Sequence, residues 1–290
     1  FLLMKSIKKI EVIAEIAQSH GGSLEKAKKM ILLCKKAGAD YVKFQAHYAK
    51  YESTFNEPFR KGYKFKENSR YDYWKKYEFT KKQWKILIDF SRRNKIKFLC
   101  SPFSVYAYEV LKSLGLKKWK IGSGEFFSDN LIERIVKDKG EIYISTGLST
   151  INEINKKINF FKKKNTNFTL IQCTTKYPTK IKDVGINVLD NFKKKYKCKI
   201  GLSDHTGSIS PALYAISKEY NLIEVHVDFK TKNNPDTSSS ISFDELKIIC
   251  NYRDDYWQLK TIKVNKNLIS KSLKNFKKNF TKSLCLNKNL

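Results

Sequence analysis

Short apolar runs alternate with amphipathic stretches along most of the chain, and the two kinds of segment keep a constant order. Residues 11–16 form an apolar run of strand length. Ser23 then stands where a helix N-cap belongs, apolar positions recur at helical spacing through Ala37, and Gly38 closes the stretch. Residues 41–45 read as the second strand, but the next helix, 81–94, comes only after a long aromatic and charged segment, 46–79. A connection of that length inside a regular fold is usually functional or partly structured in its own right. From residue 97 the alternation is regular. Strands are expected at 97–100, 119–121, 141–145, 168–173, 199–202 and 222–225, with helices at 105–114, 131–137, 151–163, 188–196, 211–219 and 243–252. Eight strand-then-helix units predict an α/β fold, a (β/α)8 TIM barrel. An open doubly wound sheet is the alternative, but no Gly-x-Gly-x-x-Gly follows the first strand, which argues against a dinucleotide fold. The barrel takes residues 1–258. Residues 259–290 form a Lys- and Asn-rich tail with helical spacing of Ile269, Leu273, Phe276 and Phe280, read as peripheral to the barrel.

A barrel collects its active-site residues at the C-terminal ends of its strands, so polar residues there carry more information than polar residues elsewhere. In chain order those ends hold Glu15, then Lys43 with Gln45, Ser101, Lys120 with Ser123 and Glu125, and Ser145 with Thr146. Thr174, Thr175 and Tyr177 follow, then Ser203, Asp204 and His205, and finally His226. Singly, each has a plainer use: a strand-end lysine is usually just paired, and a serine usually just caps the next helix. Together, two lysines, several hydroxyls and the turns Gly122-Ser123-Gly124 and Ser145-Thr146-Gly147 would hold a phosphate or carboxylate by charge and backbone N–H donors. Glu15 and Glu125 offer proton transfer. His205 and His226, on successive strands, offer two imidazoles to one divalent ion or one substrate, although both are equally readable as ordinary polar residues at strand ends.

Composition narrows the partners. The chain has 290 residues, 41% of them hydrophobic, enough for a large core. A formal charge of +30 invites nucleic acid, since a basic surface attracts phosphate at long range. Arginine, which makes bidentate phosphate and base contacts, is confined to Arg60, Arg70, Arg92, Arg93, Arg134 and Arg253. Lysine is spread over nearly every predicted helix and no recognition motif accompanies it, so no specific nucleic-acid partner is expected, while an anionic substrate gains from the field. Residues 1–9 contain no apolar run long enough for a signal peptide or a membrane span, Met4 is a candidate start, and no membrane partner is expected. Cys34, Cys100, Cys173, Cys198, Cys250 and Cys285 form no Cys-x-x-Cys pair and read as reduced thiols of a cytoplasmic protein.

Several stretches carry a family resemblance. Glu15-Ile16-Ala17-Gln18-Ser19-His20-Gly21-Gly22-Ser23-Leu24, residues 37–45, Ser101-Pro102-Phe103, Lys120-Ile121-Gly122-Ser123-Gly124-Glu125, Ser145-Thr146-Gly147, Tyr177-Pro178-Thr179 and Gly201-Leu202-Ser203-Asp204-His205-Thr206 together resemble the sialic acid synthase (N-acetylneuraminate synthase) family. The matches are collinear from about residue 11 to 246. The resemblance implies condensation of phosphoenolpyruvate with N-acetylmannosamine or a related amino sugar, giving a sialic-type nine-carbon acid and phosphate. It implies a divalent metal, Mn2+ with Mg2+ or Co2+ as alternatives, on His205 and His226. By position, Lys43, Ser101, Lys120, Ser123, Ser145, Thr175 and Ser203 resemble phosphoenolpyruvate contacts, and Glu15, Tyr177 and Asp236 resemble amino-sugar contacts. Glu125 is the candidate for moving a proton or orienting the attacking water.

The chain also departs from the family pattern. Ser19 replaces an Asn, Gln172 replaces a His, and the segment after His226 is reduced to Asn234-Pro235-Asp236, departures that bear on Asp236 and on the choice of sugar. Residues 279–284 resemble the segment that precedes the family's antifreeze-like domain, and the expectation is a chain lacking that lid. The resemblance implies a second copy in a homodimer as a partner, and the lacking lid adds a separate antifreeze-like chain as another. The alternative function is a non-catalytic anion- and sugar-binding barrel that depends on such a capping chain.

Overall fold

The structure, a computed structural model, describes residues 9–59, 67–231 and 234–281, so Met4, Cys285 and the end of the 279–284 segment lie outside the described residues. The elements run β1 (Glu11–Glu15), α1 (Leu24–Ala37), β2 (Tyr41–Ala46), α2 (Ala49–Glu52), α3 (Arg70–Tyr77), α4 (Lys81–Arg93), β3 (Lys97–Pro102) and α5 (Val105–Ser113). They continue with β4 (Lys118–Ile121), α6 (Asp129–Lys137), β5 (Glu141–Ser145), α7 (Ile151–Lys163), β6 (Phe168–Cys173) and α8 (Ile186–Lys195). The first compact unit, which ends at Asp254, is completed by β7 (Lys199–Asp204), α9 (Ser210–Ser217), β8 (Leu222–Val227), the two-residue β9 (Ser240–Ile241) and α10 (Phe243–Thr261), whose last turns belong to the second unit. All pairings are parallel. β1 to β8 are neighbours in chain order and β8 pairs back onto β1, which closes the barrel; β9 continues beside the last residues of β8.

Local chemistry sets the helix starts. Ser23 accepts from the Lys26 N–H, and Thr80 with Gln83 and Thr150 with Glu153 form capping boxes at α4 and α7. Strands β7 and β8 each run two residues past their predicted ends: Ser203 and Asp204 stay in the ladder opposite Glu224 and Val225, and His226 and Val227 pair with Ser240 and Ile241. The 46–79 segment is partly helical, through α2 and α3.

Inside the barrel, Ile13, Tyr41, Leu99, Tyr143, Ile171 and Leu222 form one buried apolar layer. Two residues further along the same strands stand Glu15, Lys43, Ser101, Ser145, Cys173 and Glu224. Alternate residues of a strand share a face, so this polar set is the next storey of the interior. Outside, the strands pack on helices through rings, with Phe44 against Trp84 and Phe98, and Trp119 against Tyr108.

The opposite, N-terminal end of the barrel is clamped by Arg253 on α10. Its guanidinium is buried and donates to Asp40 (2.5 Å), the Gly38 carbonyl (3.1 Å) and Asp254 (2.8 Å), while Asp40 also accepts from the Val12 N–H at 2.8 Å. The second compact unit, residues 255–290, contains α11 (Lys271–Phe280), whose start is capped by Ser270 and which carries Leu273, Phe276 and Phe280 as exposed apolar positions. No described helix is long and apolar enough to cross a membrane.

Replacing Arg253 with Met keeps the bulk but leaves Asp40 and a carbonyl without their donor. Since Asp40 is itself partly exposed, Arg253→Met is expected to lower the unfolding free energy by about 2–3 kcal/mol, read by urea denaturation.

Candidate active site at the strand ends

The polar storey is a ring of opposite charges. Glu15 is fully buried; one carboxylate oxygen accepts from the Ala17 N–H at 2.8 Å and the other is ion-paired with Lys43. Glu224 lies 3.8 Å from the Lys43 ammonium and 3.5 Å from that of Lys120, and accepts from the Ser203 hydroxyl at 2.9 Å. Lys120 in turn donates to Ser145 at 2.7 Å. Strand register brings these groups together: Glu15 is opposite Lys43, and Ser203 is opposite Glu224. Burial pulls the Lys43 ammonium down to about 8, Lys120 adding to the effect and Glu224 opposing it. Burial alone would raise the Glu224 carboxyl, but the two ammonium groups and the Ser203 hydroxyl outweigh it and hold the group below its ordinary value.

Glu224 is the residue that sequence reasoning missed. It sits inside the apolar run 222–225 and looked like part of a strand. The available signal was its parity: a carboxylate at an inward position of a buried strand is tolerable only beside buried cations.

The hydroxyl side of the ring is packed around Gly147. The Gly147 N–H donates to Ser123 at 3.0 Å, and Ser123 also meets the Cys173 sulfur at 3.0 Å. A Cβ on Gly147 would stand 2.6 Å from the Cys173 sulfur and 2.9 Å from the Ser123 hydroxyl, and would overlap the Thr175 hydroxyl. Glycine is therefore required there by close approach. The Thr175 hydroxyl is buried and has no hydrogen-bond partner among the described residues. Ser101 is buried at the end of β3, level with Gln45.

Above the ring stand the two imidazoles, their centroids 5.1 Å apart. Nδ1 of His205 is 2.9 Å from the Thr174 carbonyl and so carries the proton, leaving Nε2 its lone pair. Burial lowers the His205 pKa to about 4, so the ring is neutral near pH 7. The Thr179 N–H donates to the His205 carbonyl at 2.9 Å, tying the 174–179 loop to this strand end and holding the Tyr177 ring 4.4 Å from that of His205. Among the described residues no group of three or more His, Cys, Asp or Glu could hold a metal. The protein therefore offers two neutral nitrogens and no closed cage, a donor set that suits an open metal site whose other positions belong to water and substrate.

Beyond the imidazoles lies a cavity of about 170 Å³, whose lining includes His226, Tyr177, Asp236, Gln45 and Trp74. Asp236 is held by the loop after β8: Asp228 accepts from Asn234 (2.9 Å) and Thr237 (2.7 Å), and Asn234 accepts from the Asp236 N–H at 2.9 Å. Glu125 sits on the turn after β4. Burial raises its pKa, with His47 and Lys120 opposing. Asp204 accepts from the Thr206 hydroxyl at 2.7 Å and serves the turn. Gln172 points away from the interior and donates to the Val184 carbonyl at 3.3 Å, so the Gln at this position leaves the ring untouched. His20 stacks on Phe79 at 4.7 Å and accepts from the Gly22 N–H; it supports the 46–79 segment and does not face the ring.

A closed parallel barrel with buried lysines, an imidazole pair and a cavity at its C-terminal mouth has the build of a (β/α)8 enzyme. Residues 30–264 match the model of the NeuB family. The chain is 34% identical over 251 residues to the N,N'-diacetyllegionaminic acid synthase of Campylobacter jejuni, covering 84% of this chain and 75% of that protein. It is 31% identical over 244 residues to human N-acetylneuraminate-9-phosphate synthase, covering 81% and 67%. The crystal structure of an N-acetylneuraminic acid (sialic acid) synthetase from Leptospira borgpetersenii in complex with citrate superposes with a TM-score of 0.79 at 26% identity, covering 94% and 93% of the two chains. The chain belongs to the NeuB family and is a carbon–carbon bond-forming synthase.

Removing the carboxylate charge of Glu224 would leave Lys43 with its Glu15 partner and Lys120 without its ion-paired carboxylate among the described residues. Glu224→Gln is expected to cost about 3 kcal/mol of stability at pH 7, measured by urea unfolding. An unchanged midpoint would show that the ring is not held by this balance.

Proposed function

We propose that this chain condenses phosphoenolpyruvate with N-acetylmannosamine or a related amino sugar, releasing phosphate and a sialic-type nonulosonic acid. The observation that carries the reading is order along β7 and β8: His205 and His226 each come two residues after a ring member, Ser203 and Glu224, and His226 also lines the cavity. An anion in the ring and a polyhydroxylated acceptor in the cavity would meet at the imidazoles.

In this reading Lys43 and Lys120 take the phosphate and carboxylate charge of phosphoenolpyruvate, with Ser101, Ser123, Ser145, Thr175 and Ser203 donating or accepting around it. Glu15, Tyr177 and Asp236 hold the sugar hydroxyls. The enol carbon of phosphoenolpyruvate attacks the open-chain aldehyde, the new carbon–carbon bond leaves a cationic carbon at the former enol centre, water adds there, and the carbon–oxygen bond to phosphate breaks. Glu125, whose burial favours the protonated form more than in water, takes a proton from the attacking water. A divalent cation on His205 and His226, Mn2+ foremost with Mg2+ or Co2+ as alternatives, would supply Lewis-acid polarisation of the aldehyde. The charge count supports a cation: Lys43 and Lys120 are already balanced by Glu15 and Glu224, so a multiply charged anion needs further positive charge nearby. We place the reaction in the cytoplasm, with a second copy in a homodimer as the protein partner the resemblance implies.

Phosphate release from phosphoenolpyruvate should depend on both an amino sugar and Mn2+, and His205→Ala should abolish it. A hexosamine panel that yields no sugar-dependent phosphate with metal supplied would sink the reading. Glu125→Gln should lower kcat by on the order of a hundredfold or more with little change in the phosphoenolpyruvate KM.

Lys43 gives a pH signature. With its pKa lowered to about 8, the amine is charged below that pH and neutral above it. Affinity for phosphoenolpyruvate, titrated by calorimetry without sugar, should therefore fall by about tenfold between pH 7 and 9. The dependence should flatten in Lys43→Met, and an equally steep fall in that variant would assign it to another group.

A further inference from the structure

The end of the barrel opposite the candidate active site holds a second cleft. Strands β3 and β4 are registered at Cys100 opposite Trp119 and at no other pair among the described residues, whereas β2 and β3 stay in register over six residues and β4 and β5 over four. The first residues of β3 and β4 are therefore not laddered to each other. Between them, bordered by Ile88 and Arg92 of α4, lies a cavity of about 480 Å³, a volume in the range of small-molecule sites.

Its floor is apolar: Ile88 and Ile96 are buried, and Phe98 and Leu116 are half-buried. Its rim is basic. Arg92, Lys95, Lys97, Lys117 and Lys118 line it, and no carboxylate does. Three of these cations have partners outside the lining, Arg92 with Asp89 at 3.1 Å, Lys97 with Glu11 at 2.9 Å and Lys118 with Glu141 at 2.8 Å. Ion pairs as exposed as these are weak, so a ligand carrying several charges can replace them. The side chains of Lys95 and Lys117 are exposed and have neither a hydrogen bond nor an ion pair among the described residues. Lysine is common along the whole chain; what sets this place apart is its convergence on an apolar concavity.

A ligand that fits needs a flat apolar body for the floor and more than one negative charge for the rim. A sugar phosphate lacks the first and a fatty acid lacks the second. A nucleotide has both, its base for the floor and its phosphates for the guanidinium and ammonium groups. We infer that this cleft is a binding site for a nucleoside polyphosphate, separate from the strand-end ring. None of its residues belongs to that ring, so the inference stands whichever sugar the barrel takes. A nucleotide bound here would bridge the starts of β3 and β4, the strands that further along carry Ser101 and Lys120.

The test is calorimetric titration of the full chain with ATP, and with tripolyphosphate as the same charge without a base, at about 0.15 M salt and without divalent metal. ATP should bind about tenfold or more tightly than tripolyphosphate, because only ATP covers the floor. Lys95→Gln together with Lys117→Gln should weaken ATP by about tenfold or more. The same exchange at Lys194 and Lys195 on α8, away from the cleft, should change it by less than about twofold, which separates the cleft from the diffuse charge of the chain. Leu116→Ser should weaken ATP by about threefold or more and leave tripolyphosphate unchanged. If Leu116→Ser fails to fold, the exposed lysine pair decides. Absent ATP binding, tripolyphosphate binding as tightly as ATP, an equal loss in the α8 variant, or ATP affinity unchanged in the Lys95 and Lys117 variant would each overturn the inference.

Discussion

Lys43, Lys120, Glu15 and Glu224 are all at most 3% exposed, and none of the four charges would be tolerable alone. Taking an ammonium or a carboxylate out of water costs several kcal/mol, and only close opposite charge with good hydrogen bonds offsets it. Here the offset requires strand register. Glu15 on β1 must stand level with Lys43 on β2, and Glu224 on β8 must stand between Ser203 and the two ammonium groups, so the carboxylates come from the two strands that close the barrel. A slip of one residue at that seam would turn these side chains outward and bring apolar neighbours in. Barrel closure and charge pairing thus support each other.

The same balance shapes how the site treats ligands. Two lysines matched by two carboxylates present donors in fixed positions without a large local excess of positive charge. Long-range attraction is then left to the diffuse lysine surface that gives the chain its formal +30, and short-range binding to donors already in place. In the proposed reading an incoming anion would take over contacts that the carboxylates make to Lys43 and Lys120.

The eight strand-then-helix units, the strand-end polar list and the pairing of His205 with His226 were legible in the sequence, because period, caps and parity are local properties. Glu224 was not, since its meaning depends on lysines on other strands. The 46–79 segment was visible only as a long aromatic stretch. Its aromatic residues have no helical or strand period that would say what they cover, and the structure uses Tyr73 and Trp74 as cavity wall and His47 as the pin between them and Phe103. The +30 charge would have misled if taken as a motif; lysine distribution, not lysine number, was the informative property.

Floor and rim of the site are built by different physics. The floor residues sit on strands whose ladders fix them, and moving any of them breaks pairing on two sides. The rim residues Tyr177, Trp74 and Asp236 sit on connections held by a few side-chain bonds, such as Asp228 to Asn234 and Thr237, or His205 to the Thr174 carbonyl. Changes in the rim can therefore alter what the cavity accepts at a cost of one or two hydrogen bonds, while changes in the floor disturb the whole barrel. Gln18 lies between the two: it follows β1 directly, yet its amide reaches the rim through Gln45 and His47.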